Sequence, residues 1–294
     1  IVSSIVDGLD EGERVYGYFP PADFLVMRPI KVTSGRFVDG SIHRAELPAV
    51  YNNYVRLDNE SGYDQSVDNI RALLNPLHIT SFCLCDALKS EGFYGAEQII
   101  VLSASSKTAI GMAQGLLDSG ISPKTLGITS RSNYDFVRSL GCYSHVCCYD
   151  ELDTLNSAKS SVIIDMSGNR AVLGAIHDSL GSRMLNCINV GMTHWDTLAN
   201  NDPMGAKINR GRSNFFFAPA HVQKRIGDWG HDVFNQRSAE FMIRRMRQST
   251  NWMRVTEVNG FDSFVSIYDA IVAGVMNPEE GVIVVMPHAQ KDAS

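Results

Sequence analysis

The sequence predicts an α/β protein in which a doubly wound parallel sheet follows a β-rich front segment. Between residues 98 and 190, short apolar runs that suit buried strands alternate with stretches of helical spacing. Such alternation is typical of parallel strands joined by right-handed helical crossovers. Polar loops follow four of these strands, and the carboxyl ends of parallel strands line one crevice. The sequence therefore predicts a ligand site at that edge of the sheet.

The front of the chain, residues 1–72, is predicted to be β-rich and irregular. Strands are predicted at residues 14–19 and 23–27, and the aromatic block Tyr51-Asn52-Asn53-Tyr54 follows with little periodicity. A long segment of this kind is typical either of a site-forming loop or of a packing excursion. A buried helix predicted over residues 73–88 leads into the sheet.

The regular part of the chain opens at the apolar run 98–102. Strands are predicted at residues 99–102, 125–128, 145–149, 161–164 and 184–190, and helices at 107–118, from Asn133 to Leu140, and at 170–180. Residues 192–230 are predicted to be loop-like. A helix over 231–250, a strand over 253–258, a helix over 263–274 and a last strand over 281–286 complete the predicted elements.

The turn after the first sheet strand carries the main functional signal. It comprises Ser103, Ala104, Ser105, Ser106, Lys107 and Thr108. A strand, a tight turn of small residues and a helix open a Rossmann-type sheet, and the N–H groups and partial positive charge of the helix start suit a pyrophosphate. The glycines of the G-x-G-x-x-G fingerprint are missing, and three serines stand in their place. The alternative is an ordinary strand-to-helix turn.

The loop after the second strand indicates which dinucleotide would bind. An NAD site usually has Asp or Glu there to bind the ribose 2′-hydroxyl. The chain instead has Thr129-Ser130-Arg131, with Asn133 close behind. An arginine beside hydroxyl groups suits a 2′-phosphate, so NADP(H) is favoured over NAD(H). The alternative is that Arg131 is a surface residue without a ligand.

Two more loops are expected to reach the same crevice. The first contains Asp165, Met166, Ser167 and Gly168, and the second contains Gly191, Met192, Thr193 and His194. Because the carboxyl ends of parallel strands meet at one edge, these residues are predicted to join the cofactor site. The recurrence of four such loops is a stronger signal than any one of them.

Composition narrows the classes of partner. A net charge of −6 argues against a nucleic-acid surface. The six cysteines form no C-x-x-C pair and suit buried thiols of a reducing compartment, so neither a metal site nor a disulfide framework is predicted. Neither a signal peptide nor a membrane span is recognised in the sequence. We therefore expect a cytoplasmic protein that has neither a nucleic-acid nor a membrane partner.

Five motifs, together with the order of the elements, resemble a known superfamily. They are RVYGYFP at 14–20, LPAVYN at 47–52, SASSKT at 103–108, DMSGN at 165–169 and VGMTHW at 190–195. Over nearly the whole chain the sequence resembles the medium-chain dehydrogenase/reductases, in particular the zinc-free quinone and enoyl reductase branch. Within that branch it is most similar to the domain of unknown function 2855 family.

The resemblance implies a domain organisation. A partial GroES-like domain would occupy residues 1–72, a Rossmann nucleotide-binding domain 73–258, and a return to the first domain 259–294. The superfamily normally has several dozen more residues ahead of Ile1, so we expect the front domain to lack one wall of its substrate cleft. The resemblance also implies a homodimer, formed where the strand at 253–258 pairs with its symmetry mate.

The resemblance further implies roles for individual residues. The pyrophosphate would be held by Ser103 to Thr108. The adenosine ribose and its 2′-phosphate would be surrounded by Thr129, Ser130, Arg131 and Tyr149. The nicotinamide ribose would lie near Gly191 to His194, and the nicotinamide near Thr80. The serine-rich turn departs from the superfamily pattern. Serine hydroxyls and Lys107 would compensate for the glycines.

The candidate catalytic residues are Tyr51, Asn52 and His194, with His43 a further candidate donor. Tyr51 would donate a proton or a hydrogen bond to a developing enolate. The sequence thus predicts NADPH-dependent hydride transfer to an activated C=C or C=O of a small organic molecule. The alternatives are a redox-neutral, lyase-like enzyme and a non-catalytic nucleotide-binding protein on the same scaffold.

Overall fold

A computed structural model describes residues 1–60, 63–120, 123–190 and 205–286. The chain divides into two compact units. The smaller comprises Ile1–Leu73, Val255–Met276 and the segment from Glu280 onward, and the larger comprises Leu74–Arg254 and Asn277–Glu279. The corresponding predicted boundaries follow residues 72 and 258.

The smaller unit contains a four-stranded antiparallel sheet. Its strands are β1 (Val15–Tyr16), β2 (Pro29–Ile30), β3 (Arg36–Asp39) and β4 (Asn53–Arg56), in the order β1-β4-β3-β2. Tyr54 lies at its centre, fully buried, with its ring stacked 5.4 Å from that of Phe37. The Tyr54 hydroxyl donates to the carbonyl oxygen of Tyr18 at 2.7 Å, which satisfies the buried polar end of the ring.

The prediction of a strand at residues 23–27 is wrong. The structure has no strand there, and the side chains of Phe24 and Val26 are 70% and 77% exposed. Apolar residues favour a strand only where a neighbouring strand pairs with them, and that pairing occurs a few residues later, between Pro29–Ile30 and β3.

Helix α1 (Asp68–Ser90) follows the front segment. It begins five residues before the predicted helix. The prediction missed residues 68–72 because they are largely polar and show no apolar stripe. A short 3-10 turn at Gln65–Val67 leads into it, and the Asp64 carboxylate accepts the N–H of Ser66 at 2.9 Å. This capped 3-10 turn runs directly into α1, so the chain is already helical before the hydrophobic periodicity begins.

The larger unit is built on a six-stranded parallel sheet. Its strands are β5 (Gln98–Leu102), β6 (Lys124–Thr129), β7 (His145–Cys148), β8 (Ser161–Asp165), β9 (Met184–Val190) and β10 (Ser213–Phe216). The spatial order β10-β9-β8-β5-β6-β7 is that of a Rossmann sheet, so the predicted doubly wound fold is confirmed. The strand order reverses between β5 and β8, where such sheets bind ligands.

Helices cover both faces of this sheet. They are α2 (Lys107–Ser119), α3 (Tyr134–Ser139), α4 (Arg170–Leu180), α5 (Ala218–Trp229) and α6 (His231–Ser249). The two faces of β5 are buried in separate apolar clusters, Ile99 and Val101 on one side and Ile100 and Leu102 on the other. Burial of both faces explains why the strand is apolar at each position after Gln98.

The prediction of a loop over residues 192–230 is wrong for its second half, which contains β10 and α5. Strand β10 has only four residues and lies at the edge of the sheet, and its side chains are half-buried or exposed, without any alternation between the two faces. Helix α5 begins with Pro219 in its first turn, a residue that also marks loops. Both elements therefore carry the composition of a loop.

The chain ends in β11 (Arg254–Asn259), α7 (Gly260–Val272) and β12 (Glu280–Val285), and β11 pairs with β12. All six cysteines are buried and unpaired. Within the described residues, no cluster of His, Cys, Asp or Glu could hold a metal ion. No helix in the described part of the chain is both long and apolar enough to cross a membrane.

Candidate cofactor site

The turn after β5 is held in a conformation that usually requires glycine. Ser103 has a φ of 59°, in the left-handed region. Its N–H donates to the hydroxyl of Tyr149 at 3.0 Å, and its carbonyl accepts the N–H of Ser106 at 2.9 Å. Serine thus performs the sharp turn for which the fingerprint normally uses glycine, because the fold supplies a partner on each side.

Ala104 fixes this turn against the neighbouring strand. Its N–H donates to the carbonyl of Ile128 on β6 at 3.0 Å, and its carbonyl accepts the hydroxyl of Tyr143 at 2.9 Å. A Cβ on Gly127 would lie 2.9 Å from the Cβ of Ala104, so this turn and strand β6 are in close contact. The sequence analysis missed Tyr143, whose position before β7 gives no signal of this long-range bond.

Helix α2 starts directly after the turn, and its capping is local. The Ser106 hydroxyl oxygen accepts the N–H of Ala109 at 3.3 Å, as an N-cap residue does. Asn133 donates from its side-chain amide to the Ser105 hydroxyl at 3.1 Å, which joins the second predicted loop to the first. The first turn of α2 therefore presents backbone N–H groups and the positive end of a 13-residue helix to the switch point.

Lys107 and Thr80 occupy positions beside the helix start. One interaction of Lys107 is a hydrogen bond from its Nζ to the carbonyl oxygen of Pro278 at 3.0 Å. Thr80 is half-buried on α1, and its neighbour Ser81 donates to the carbonyl of Thr108 at 2.8 Å. Ser81 thus packs α1 against the start of α2, and the expected nicotinamide contact of Thr80 stays a prediction.

The loop after β8 folds around one carboxylate. Oδ1 of Asp165 accepts the N–H of Ser167 at 2.8 Å, the Ser167 hydroxyl at 2.7 Å and the N–H of Gly168 at 3.2 Å. The Ser106 hydroxyl lies 3.6 Å from the sulfur of Met166, so this loop and the β5 turn are adjacent. The structure brings together the first three predicted loops.

Two buried polar atoms at this edge form no hydrogen bond within the described residues. They are Oδ2 of Asp165, at the end of β8, and Oγ1 of Thr129, at the end of β6. The two strands flank β5 on either side. Buried polar atoms normally have partners, so the edge has hydrogen-bonding capacity that a ligand rich in hydroxyl groups would use.

Arg131 lies between two carboxylates that the sequence analysis missed. Its Nη2 is 2.7 Å from Oδ2 of Asp150, and its Nη1 is 3.0 Å from Oε1 of Glu151. The hydrogen bond from Arg131 lowers the pKa of Asp150. The pKa of Glu151 is lowered mainly by the hydrogen bond from the N–H of Cys148, and to a smaller extent by Arg131. Both acids directly follow Tyr149, the residue that the resemblance places beside the adenosine ribose, and lie beyond the end of β7.

Tyr149 brings the end of β7 next to that of β6. Its N–H donates to the carbonyl of Thr129 at 3.1 Å, while burial raises the pKa of its hydroxyl. On the same rim, the hydroxyls of Ser130 and Ser132 are hydrogen-bonded to each other at 2.9 Å. Helix start, serine turn and arginine together fit a dinucleotide with a 2′-phosphate, provided that the phosphate displaces a carboxylate from Arg131.

The candidate catalytic residues Tyr51 and Asn52 lie in the smaller unit. Both ends of the buried Asn52 amide bind Arg44: Oδ1 accepts its Nε at 3.0 Å, and Nδ2 donates to its carbonyl at 2.9 Å. The ring of Tyr51 is half-buried, 5.4 Å from that of Tyr18. Asn52 thus holds the local loop together. The catalytic roles of both residues stay predictions.

Four predicted site residues, Gly191, Met192, Thr193 and His194, lie outside the described residues.

The smaller unit also contains an open apolar cavity of about 1210 Å³, lined in part by Phe24, Val26 and Phe264. Tyr51 and Asn52 are not among its lining residues.

Comparison with solved structures shows which proteins share this fold. CurA of Vibrio vulnificus, solved with NADPH, is 13% identical, with a TM-score of 0.55 and coverage of 86% of this chain and 74% of that one. The yhdH oxidoreductase of Salmonella enterica, solved with NADP, is 15% identical, with a TM-score of 0.51 and coverage of 80% and 70%. The CurK enoyl reductase matches less well, with 17% identity, a TM-score of 0.43 and coverage of 70% of this chain and 60% of that one.

Sequence comparison assigns the family. No curated protein matches the sequence significantly. The family model described as "Protein of unknown function (DUF2855)" matches residues 1–277. The resemblance inferred from the motifs is thereby confirmed: the chain belongs to the DUF2855 family and has the fold of the medium-chain reductases.

Proposed function

We propose that this protein is an NADP(H)-dependent, zinc-independent oxidoreductase that reduces an activated C=C or C=O of a small organic substrate. The observation that carries the proposal is the conjunction at the switch point of a capped helix start, a left-handed serine turn and Arg131 on the neighbouring strand end. The NADPH and NADP bound to CurA and yhdH, which share the fold, support the choice of cofactor.

The larger unit would bind the cofactor through its own donors. Backbone N–H groups of the β5 turn and the first turn of α2 would hold the pyrophosphate, since the helix dipole favours an anion there. The serine hydroxyls would add donors where the usual turn has only glycine. Arg131 would bind the 2′-phosphate, and Thr129 and Tyr149 would line the adenosine ribose.

The chemistry that NADPH supplies when bound is hydride donation. The protein's part is then to polarise the acceptor and to provide a proton. We propose Tyr51 as the hydrogen-bond or proton donor to the oxygen on which charge develops. Asn52 acts as a positioning residue, because its amide bonds to Arg44 fix the backbone on which Tyr51 lies.

The first experiment measures NADPH binding and NADPH oxidation with a panel of enones and quinones. We expect NADPH to bind and at least one compound to be reduced. Tight NADPH binding without oxidation across the panel would contradict the reductase and leave a redox-neutral or non-catalytic nucleotide-binding protein. Lack of affinity for any nucleotide would contradict both the reductase and the nucleotide-binding protein, and would leave a redox-neutral enzyme that uses no nucleotide.

The Arg131→Ala substitution tests the cofactor assignment. Loss of charge-assisted hydrogen bonds to a 2′-phosphate should weaken NADPH binding by roughly tenfold or more. NADH binding should change little, because NADH has only a hydroxyl there. Titration calorimetry with both nucleotides distinguishes the cases, and Arg131→Lys, which keeps the charge but not the planar fork, serves as the matched control. Equal losses for the two nucleotides would refute the assignment.

A further inference from the structure

The guanidinium of Arg131 is already bound on both of its terminal nitrogens. Nη2 bonds to Asp150 and Nη1 to Glu151, at 2.7 Å and 3.0 Å. These are the nitrogens with which arginine forms its two-pronged bond to a phosphate or a carboxylate. One cation and two carboxylates leave the group with a net negative charge, although it lies where the proposed function places a phosphate dianion.

The three side chains are open to solvent, so the arrangement can exchange. Exposure is 64% for Arg131, 66% for Asp150 and 36% for Glu151. Exposed ion pairs are weak, and an incoming phosphate can replace one of them. Any carboxylate that stays nearby repels the phosphate, whereas it can accept a hydrogen bond from a ribose 2′-hydroxyl.

We propose that Asp150 and Glu151 set the cofactor preference by competing with the 2′-phosphate for Arg131. They reduce the affinity for NADPH while leaving that for NADH unchanged or stronger, so the site discriminates less between the two than Arg131 alone would. This inference rests on the proposed function, because it assumes that a dinucleotide occupies the switch point.

The two acids differ in what else they hold. Oε2 of Glu151 accepts the N–H of Cys148 at 3.1 Å, which ties this side chain to the end of β7. Asp150 is the more exposed of the two and lies on the loop beyond the strand. Asp150→Asn therefore removes a competing charge with little effect on the fold, and Glu151→Gln keeps an acceptor oxygen for Cys148.

The test measures dissociation constants of NADPH and NADH by titration calorimetry for the wild type, Asp150→Asn, Glu151→Gln and the double variant. The preference for NADPH should rise roughly threefold for each charge removed and roughly tenfold for both, as expected for exposed charge pairs. The fragments 2′,5′-ADP and 5′-AMP should show the same trend without any catalytic step. Glu91→Gln is the matched control, because it removes an exposed charge ahead of the amino end of β5.

Each outcome of this titration either supports or contradicts the proposed role of Asp150 and Glu151. An unchanged NADPH-to-NADH ratio in the double variant, with a melting temperature equal to that of the wild type, would overturn the inference. Weaker NADPH binding would overturn it too, and would assign the acids the opposite task of positioning Arg131. A wild type that binds neither dinucleotide would refute the proposed function and the inference with it, whereas the first two results leave the proposed function intact.

Discussion

Ser103 shows at the residue scale how a missing fingerprint residue is replaced. The sequence predicts a turn here, but it cannot show that a serine adopts a φ of 59°. That conformation depends on the Tyr149 hydroxyl, which lies 46 residues further along the chain. The type of site was therefore predictable from local sequence, whereas the contact that makes the turn possible was not.

Ser103→Gly and Ser103→Ala form a matched pair that tests the strain. Both remove the hydroxyl, and only glycine accepts the left-handed conformation freely. We expect the glycine variant to be more stable than the alanine variant by about 1 kcal/mol. Urea denaturation measures the difference. An alanine variant as stable as the glycine variant would show that the turn is unstrained.

His78 provides a second prediction at this scale. It is fully buried, and neither ring nitrogen forms a hydrogen bond within the described residues. Burial, with a smaller effect of Arg245, lowers its pKa to about 4 from an ordinary 6.5. Below pH 6.5 the imidazole is protonated in the unfolded chain, whereas in the folded chain it stays neutral down to about pH 4. The free energy of unfolding should therefore fall as the pH decreases from 6.5 to 4.

The loss attributable to His78 at pH 4 should be at most about 3 kcal/mol. His78→Leu cannot take up that proton in either state. The variant should therefore lose less stability than the wild type between pH 7 and pH 4.5, measured by urea unfolding at both values. Equal losses in the two proteins would contradict the assignment, since the other titrating groups are common to both.

Around Arg131, some residues of the site were predicted from the sequence and others were not. Arg131, Ser105, Asn133 and Asp165 were expected at one edge, and the structure brings them there. Asp150 and Glu151 were overlooked because a fingerprint search looks for carboxylates after the second strand, while these follow the third. Their effect on Arg131 depends on which strands are neighbours in space.

At the scale of elements, the apolar runs predicted strands β5 to β9 well and missed the edge strand β10. Strand β5 is apolar at each position after Gln98 because both of its faces are covered. Strand β10 is covered less, so its composition resembles that of a loop. Helix α1 was predicted from its buried half, and its polar first turns were missed.

The contact between α1 and α2 gives a prediction for this scale. A Cβ on Gly111 would lie 2.8 Å from Cδ2 of His78 and from Oγ of Ser81. Gly111→Ala should therefore destabilise the protein by roughly 1 to 2 kcal/mol, even though alanine favours a helix.

Gly227→Ala on α5 is the matched control, because no heavy atom lies within 4 Å of its new Cβ. It should stabilise the protein by about 0.5 to 1 kcal/mol through helix propensity alone. Thermal and urea unfolding measure both variants. Two substitutions with the same effect would show that the helices are not in close contact at Gly111.

At the scale of the whole molecule, we predict a homodimer in which β11 pairs with its symmetry mate. Within the described residues β11 bonds to β12, and in a two-stranded sheet its second edge is open to pairing. Light scattering coupled to size exclusion should give twice the chain mass of 32.4 kDa over a tenfold dilution. A mass of 32.4 kDa throughout would contradict the dimer.

The central claim is that the serine turn and Arg131 form a working NADP(H) site. A crystal structure determined after soaking with NADPH tests it most directly. We predict electron density for the pyrophosphate at the N–H groups of residues 103–108, and for the 2′-phosphate at Arg131 in place of a carboxylate. An empty turn at saturating NADPH, or a nucleotide bound elsewhere on the chain, would contradict it.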